Sequence, residues 1–516
     1  MKNSIIFIIF GLFLTISCTK DFDEINTNPN VAETVDPDFL FPTSVLNTAT
    51  LLLDMEYEAG WTYGMYWTES GGAFVNFGTV DITVQGWWRR FYIRTLAGLS
   101  KIQQMYETDP TYKNRVLISK IWESYIYSQM VSYWGPIPFT DAINEQVTSV
   151  YDDETTIYHT LINDLIACSD SIDLSGDTYM TTADLIYEGD LVKWKKFARS
   201  LALRLAMQIM HNDSEFAGPV LTELLSAPDE LISSNADNAI FQWYPGSESW
   251  NPLYQRFEYS PGDRKVNISE FLYLHLEPYA DPRLSVYAEA AAANGEYSGR
   301  PITKSSLPPG LVLPSNPHSS MNDNDYSKPG ELWFKEDGFL SLLLYPEICF
   351  LRAEAAYLGL SGETARTLYY AGIDASMLML GKEAKAEQYK AVNGVMWGTF
   401  GAGASNSWLS DTYPEYEISS EIKNPYKQII IQSWLAMYPR GLDAWTLFRR
   451  TGIVDMPVIY SADPSNTEIP TFAPVPERLK YPTEEMVYNN TGYNQGVSFL
   501  GNGDYMYTPL VFSANK

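Results

Sequence analysis

The sequence predicts a mainly α fold, in which tetratricopeptide-like helical hairpins scaffold an irregular, loop-rich lobe with little β structure. Three observations predict it. Apolar residues recur at three- and four-residue spacing along much of the chain. Around Gly359-Leu-Ser-Gly362 two such segments are joined by a short turn, and Ala365-x3-Tyr369 sets a small residue beside a large one, as close helix packing needs. From about residue 213 to 338 the period lapses and Pro, Gly, Asn and Asp become frequent.

The first element is a targeting segment. Lys2 is followed by an apolar run from Ile5 to Ile16, then by Ser17 and Cys18. A basic start, an apolar core of this length and small residues at its end make a secretory signal. The run is too short for a comfortable membrane span. Leu14-Thr15-Ile16-Ser17-Cys18 is similar to a bacterial lipobox, which predicts a signal peptide over 1–17 and a lipid on Cys18. The alternative is an ordinary signal peptide with an incidental cysteine. Residues 18–38 are polar and read as a lipidated tether. Residues 39–516 read as one helical domain.

Helices are predicted over Phe39–Glu58, Trp87–Tyr106, Val116–Tyr133, Thr155–Ser171 and from Asp190 onward. Gly135-Pro136 stops the third of these, and Asp190 is a good N-cap. Lys193, Lys195, Lys196 and Arg199 read as a solvated face. Ser269–Leu276 is a short helix inside the irregular lobe. Helices resume at Pro346–Leu358, Glu363–Leu380, Pro425–Tyr438 and Gly441–Arg450. The tail from Val454 reads as a surface wrap. Two stretches mix aromatics with Gly, Asn or Ser and have no period: Trp61 to Gly78 and Gln242 to Tyr254. Both read as functional surface loops.

Composition narrows the function. The net charge of −28 repels nucleic acid and anionic lipid. Aromatics make up 14% of the chain, with 36 Tyr and 14 Trp, and aromatic faces are what sugars stack on. Four scattered histidines predict no metal site and no cofactor is expected. Cys168 and Cys349 sit in apolar helical patterns and read as buried free thiols.

Five stretches together resemble the SusD/RagB-like family of nutrient-binding outer-membrane lipoproteins. They are Asp21-Phe-Asp-Glu-Ile-Asn-Thr-Asn-Pro29; Tyr133-Trp-Gly-Pro-Ile-Pro-Phe139; and Tyr345-Pro-Glu-Ile-Cys-Phe-Leu-Arg-Ala-Glu-Ala355. The fourth runs from Gln432-Ser-Trp434 through Gly441-Leu-Asp-Ala-Trp445 to Arg449-Arg450-Thr-Gly452, and the fifth is Pro474-Val-Pro-Glu-Arg478 with Tyr481-Pro482. Asp443 stands where the family usually has Glu. The resemblance implies four tetratricopeptide-like helix pairs, glycan or other nutrient binding at the cell surface, and a partner TonB-dependent, SusC-like transporter in the outer membrane. Trp434, Trp445, Arg449 and Glu354 are expected on helices, with arginine paired to carboxylate.

A binding protein without chemistry would use Trp67, Phe74, Asn76, Phe77, Trp250 and Tyr254 as a platform for an oligosaccharide. Rings would stack on sugar faces while Asn exchanges hydrogen bonds with hydroxyls. A secreted glycan-degrading enzyme is the alternative, and would need two carboxylates about 5–10 Å apart. The sequence contains no His-Glu-x-x-His, Gly-x-Ser-x-Gly or Gly-x-x-x-x-Gly-Lys. A purely structural surface protein is a third reading.

Overall fold

The computed structural model describes residues 35–69, 81–143, 148–246, 250–259, 266–300, 322–399, 425–452, 459–460, 472–473 and 475–514. The described chain is dominated by helices. The first half holds α1 (Pro37–Met55), α2 (Asp81–Arg90), α3 (Ala97–Tyr106), α4 (Lys113–Trp134), α5 (Glu154–Ser171), α6 (Leu191–Ile209) and α7 (Ser214–Ser226). Next come α8 (Glu270–Leu276), α9 (Tyr345–Tyr357) and α10 (Ala365–Met379). The last are α11 (Pro425–Met437), α12 (Gly441–Thr451), α13 (Thr483–Tyr488) and α14 (Asn490–Phe499).

Side chains start these helices where the sequence places them. The Asp190 carboxylate accepts the amides of Val192 and Lys193 at 2.9 and 3.1 Å. Asp153 accepts Thr156 N–H at 3.0 Å, and the Ser269 hydroxyl accepts Leu272 N–H at 3.0 Å. Each satisfies an amide that helix geometry leaves unpaired. Gly135 ends α4 at φ +81°, and a Cβ there would lie 2.7 Å from Leu510 Cδ2, so no other residue fits.

Neighbouring helices pack as hairpins: α4 on α5, α5 on α6, α6 on α7, α9 on α10 and α11, and α11 on α12. In the α9–α10 pair the close approach comes at Gly372, where a Cβ would sit 2.6 Å from the Phe350 ring. The half-buried Ala365 does not make it. Strands are few and pair antiparallel in twos: β1 (Trp67–Glu69) with β3 (Val266–Ile268), β2 (Ala239–Gln242) with β4 (Phe339–Leu343), and β5 (Ile459–Tyr460) with β6 (Phe472–Ala473).

Four of the five family-like stretches meet in the core; Asp21–Pro29 lies outside the described residues. Leu479 N–H donates to Tyr133 O at 2.7 Å, Arg478 Nε to Trp134 O at 3.0 Å, and Tyr481 hydroxyl to Pro136 O at 2.6 Å. Glu347 of α9 receives Arg204 Nε at 2.6 Å and Arg440 Nη2 at 2.6 Å. Burial would raise the Glu347 carboxyl, but the two guanidiniums hold it below the usual range. Another buried arginine, Arg283, joins the irregular lobe to the hairpins. It forks onto Asp281 and donates to Ser376 Oγ at 3.2 Å and Gln432 Oε1 at 2.8 Å.

The structure corrects several expectations. Among the described residues Arg449 pairs with no carboxylate: it donates to Trp445 O and Glu477 O and lies 3.6 Å from the Trp445 ring centroid. Burial pulls its guanidinium down to about 10. Arg450 is the partner of Glu354. The basic residues of α6 are not all solvated. Arg199 is 6% exposed and meets Asp170 and Glu230, and Lys196 holds Asp237 at 2.9 Å. Residues 214–226 are helical despite Pro219, which sits in the second turn and removes one hydrogen bond of the ladder. The described part of the tail is a surface wrap only in part: no residue of Thr483–Tyr488 is buried, but other segments enter the core. It forms α13 and α14, and Leu510 and Phe512 are fully buried. Cys168 and Cys349 are buried and unbridged. No helix among the described residues is long and apolar enough to cross a membrane.

Candidate functional site

The two aromatic stretches part ways in the structure. Trp67 opens β1, opposite Ile268 of β3, and is 1% exposed. Its indole N–H donates to the Tyr438 hydroxyl, which in turn donates to Tyr287 O at 2.8 Å. Trp61 and Phe334 cover it at centroid distances of 3.9 and 5.5 Å. A ring enclosed in this way has no face for a sugar, so Trp67 is a core residue rather than a stacking platform. Phe74, Asn76 and Phe77 lie outside the described residues, as does Cys18.

Trp250 and Tyr254 do come together, and Tyr259 joins them. Trp250 and Tyr254 are half-buried; Tyr259 is 63% exposed. Trp250 meets Tyr254 edge-on at 5.9 Å and Tyr259 at 4.8 Å between centroids, and the two tyrosines are 6.5 Å apart. The local sequence explains the arrangement. Asn251 caps the turn Pro252–Tyr254 by accepting Leu253 N–H at 3.0 Å. Its amide donates to Trp333 O and Lys335 O at 2.8 and 2.9 Å, which ties the turn to the segment before β4. The turn continues as a π-helical stretch, Gln255–Tyr259. The wider turn of a π-helix puts residues four and five apart on one side, so Tyr254 and Tyr259 share a face. Phe257 points inward instead, packing on Phe334 and Tyr57 at about 5.6 Å.

Two further features border this cluster in sequence. Arg256 lies 3.5 Å from the Tyr57 ring centroid, with Glu58 Oε1 at 3.8 Å from its guanidinium. Tyr244 is 63% exposed, two residues before Gly246, whose φ of +70° turns the loop so that its amide reaches Glu336 at 2.6 Å. The Trp250 indole nitrogen is buried and has no hydrogen-bond partner among the described residues. Such an arrangement can hold flat, weakly apolar faces between rings, with polar groups near the rim. Among the described residues no three His, Cys, Asp or Glu side chains are grouped to hold a metal ion.

Sequence reading missed Tyr259 because it ended the aromatic loop at Tyr254. The available signal was the run of aromatics at 250, 254, 257 and 259, whose spacing fits neither an α-helix nor a strand.

The chain matches a family model, SusD-like, described as starch-binding and associating with the outer membrane, over residues 29–482. None of the curated proteins matches it. Among solved structures it is similar to a chitin-binding SusD homologue from Flavobacterium johnsoniae, with a TM-score of 0.75 and 22% identity over 93% of this chain and 98% of that one. A SusD homologue from Parabacteroides distasonis gives 0.76 and 21%, over 93% and 99%. One from Bacteroides uniformis gives 0.74 and 23%, over 92% and 99%. At these identities the structures speak for the fold, while the family model spans most of the chain. The chain therefore belongs to the SusD-like family, whose description is starch-binding and associated with the outer membrane.

Proposed function

We propose that this protein is a cell-surface lipoprotein that captures oligosaccharide and delivers it to a TonB-dependent, SusC-like transporter in the outer membrane, without chemistry of its own. The observation that carries the reading is the Trp250, Tyr254 and Tyr259 cluster, three rings held at 4.8–6.5 Å from one another on a turn anchored by Asn251. Burying one ring face against a sugar contributes on the order of 1–3 kcal/mol, so two or three rings supply a micromolar site when polar contacts fix the orientation. The family description and the chitin-binding relative support a glycan as ligand. Phe74, Asn76 and Phe77 remain part of the proposed platform. Cys18 would carry the lipid, and the polar residues 18–38 would tether the domain to the membrane.

Calorimetric titration with malto- and chito-oligosaccharides tests binding, and chromatography of the same mixtures tests for cleavage. Saturable binding without product supports the reading. A folded protein that binds neither series would overturn it, and released product would favour the glycan-degrading alternative. Cys18→Ala tests the anchor: the variant should leave the membrane fraction, and unchanged fractionation would contradict lipidation.

A further inference from the structure

Away from the aromatic cluster, a cleft of about 380 Å³ opens between α3, α4, α5 and Phe139. That volume is in the range of small-molecule sites. We infer that it is a second binding site, for a primary ammonium or guanidinium group carried on an aliphatic stem.

The walls say what fits. Tyr127 lines the cleft and is 3% exposed, and its hydroxyl has no hydrogen-bond partner among the described residues. Its ring meets Phe139 edge-on at 4.8 Å, so neither ring collapses to close the space. Beside it, Glu123 takes one hydrogen bond, from Gln103 Nε2 at 2.8 Å to Oε2, and Oε1 receives none among the described residues. Asp164, across on α5, has no hydrogen bond or ion pair among the described residues. Lys120 is the cation on these walls, and its ammonium is held by Glu107 at 2.8 Å. The cleft therefore presents two carboxylates and a phenol oxygen with acceptor capacity to spare; the Lys120 charge reaches both carboxylates, but its ammonium is bonded to Glu107.

Burial raises both carboxyls, with the neighbouring charges only partly offsetting it. Glu123 is half-buried and Asp164 is exposed at the mouth, and a cation brought between them stabilises both charges. A bare metal ion is a poor match, because the carboxylates sit among apolar groups: Leu117 and Leu161 supply a wall for methylenes. Burial also pushes the Cys168 thiol up to about 12, so it enters as a small neutral group rather than a nucleophile. An alkylammonium matches all of this: its charged end meets Glu123, Asp164 and the Tyr127 oxygen, and its stem lies along the leucines. A lysine side chain of another protein and a free amine share this chemistry.

The test is calorimetric titration of the full mature protein with pentylammonium, with neutral 1-pentanol, and with Nα-acetyl-lysine amide. Pentylammonium should bind saturably and the alcohol about tenfold more weakly, a difference of about 1.4 kcal/mol. Glu123→Gln should weaken pentylammonium about tenfold. Ala167→Trp, which places an indole at the exposed rim, should abolish binding, and both variants should keep the wild-type melting temperature. Acetyl-lysine amide binding as tightly as pentylammonium assigns the site to a protein side chain, and binding of the free amine alone assigns it to a small molecule; both support the inference. Equal binding of the alcohol, or no effect of Glu123→Gln in the folded variant, overturns it. Oligosaccharide affinity at the aromatic cluster should be unchanged in both variants, which separates failure here from failure of the glycan reading.

Discussion

Glu354 and Arg450 form a two-pronged ion pair inside the protein: the two terminal guanidinium nitrogens lie 2.6 and 2.7 Å from the two carboxylate oxygens. The Tyr426 hydroxyl donates to the same carboxylate at 2.8 Å. The pair couples α9 to α12 across the hairpin seam. Glu354→Gln should cost about 3–5 kcal/mol, because it leaves a buried guanidinium without its counter-charge. Glu354→Leu combined with Arg450→Met should recover most of that loss. Urea unfolding midpoints at unchanged slope check both. A double variant no more stable than the single one would mean the pair does more than balance its own charges.

Trp250→Ala and Tyr259→Ala should each lower oligosaccharide affinity roughly tenfold, the effect of about 1.4 kcal/mol, with little change in melting temperature. Trp67→Ala should instead destabilise the fold by about 3–5 kcal/mol, the cost of truncating a fully buried aromatic. Titration calorimetry beside thermal unfolding separates the two classes. Trp67→Ala with full stability and lost affinity would return that residue to the site.

Glu56 gives a pH dependence of known sign. Its carboxylate accepts Gly441 N–H at 2.8 Å and Leu442 N–H at 3.1 Å at the start of α12. Burial raises its carboxyl well above the ordinary value, against the lowering effect of those amides. The folded state then holds this proton at a pH where the unfolded chain has released it. Stability contributed by this group is full below the unfolded carboxylate range, falls as pH rises toward the folded value, and is not regained above it. Glu56→Gln removes the titration. Whatever its constant cost, the variant should show a flatter stability profile as pH rises above the ordinary carboxylate range. Parallel profiles for the two proteins would contradict the assignment.

Gly372 faces the Phe350 ring at a separation that leaves no room for a Cβ. Gly372→Ala should cost on the order of 1–3 kcal/mol by overpacking, and Phe350→Leu in the same chain should relieve it. Additive losses in the double variant would place the strain elsewhere.

The helices were legible because their signals are local. Asp190, Asp153 and Ser269 each sit beside the amides they cap, and the apolar period on α5 or α9 is visible within a single window. What was illegible depended on distant residues. Trp67 and Trp250 stand in similar Gly-, Ser- and aromatic-rich surroundings. One is core because β1 pairs with β3, some two hundred residues later, and Tyr438 later still receives its N–H. α14 was hidden by Gly492 and Gly496, poor helix formers in isolation. They are small because the segment around Ser149 and Tyr151 presses against that helix. Arg449 and Arg450 are adjacent and chemically identical, and only the facing helix decides which one meets Glu354. The cluster at 250–259 was half legible: its aromatics were visible, but the π-helical turn that aligns Tyr254 with Tyr259 was not.

The core is tied together by contacts that span most of the chain: Glu56 to Gly441, Tyr133 to Leu479, and Glu154 to Val511. A ribosome releases residues in order, so the helices of the first half must wait, incompletely buried, until segments near residue 511 have emerged. Closure on this scale is slow and comes late. A polypeptide that must be threaded across a membrane before it folds gains from such a delay, since it stays translocation-competent while synthesis continues. The same wiring makes the protein an all-or-nothing product: a chain stopped short of residue 510 would lack the plug that Leu510 and Phe512 provide, and would meet quality control as an open, apolar intermediate.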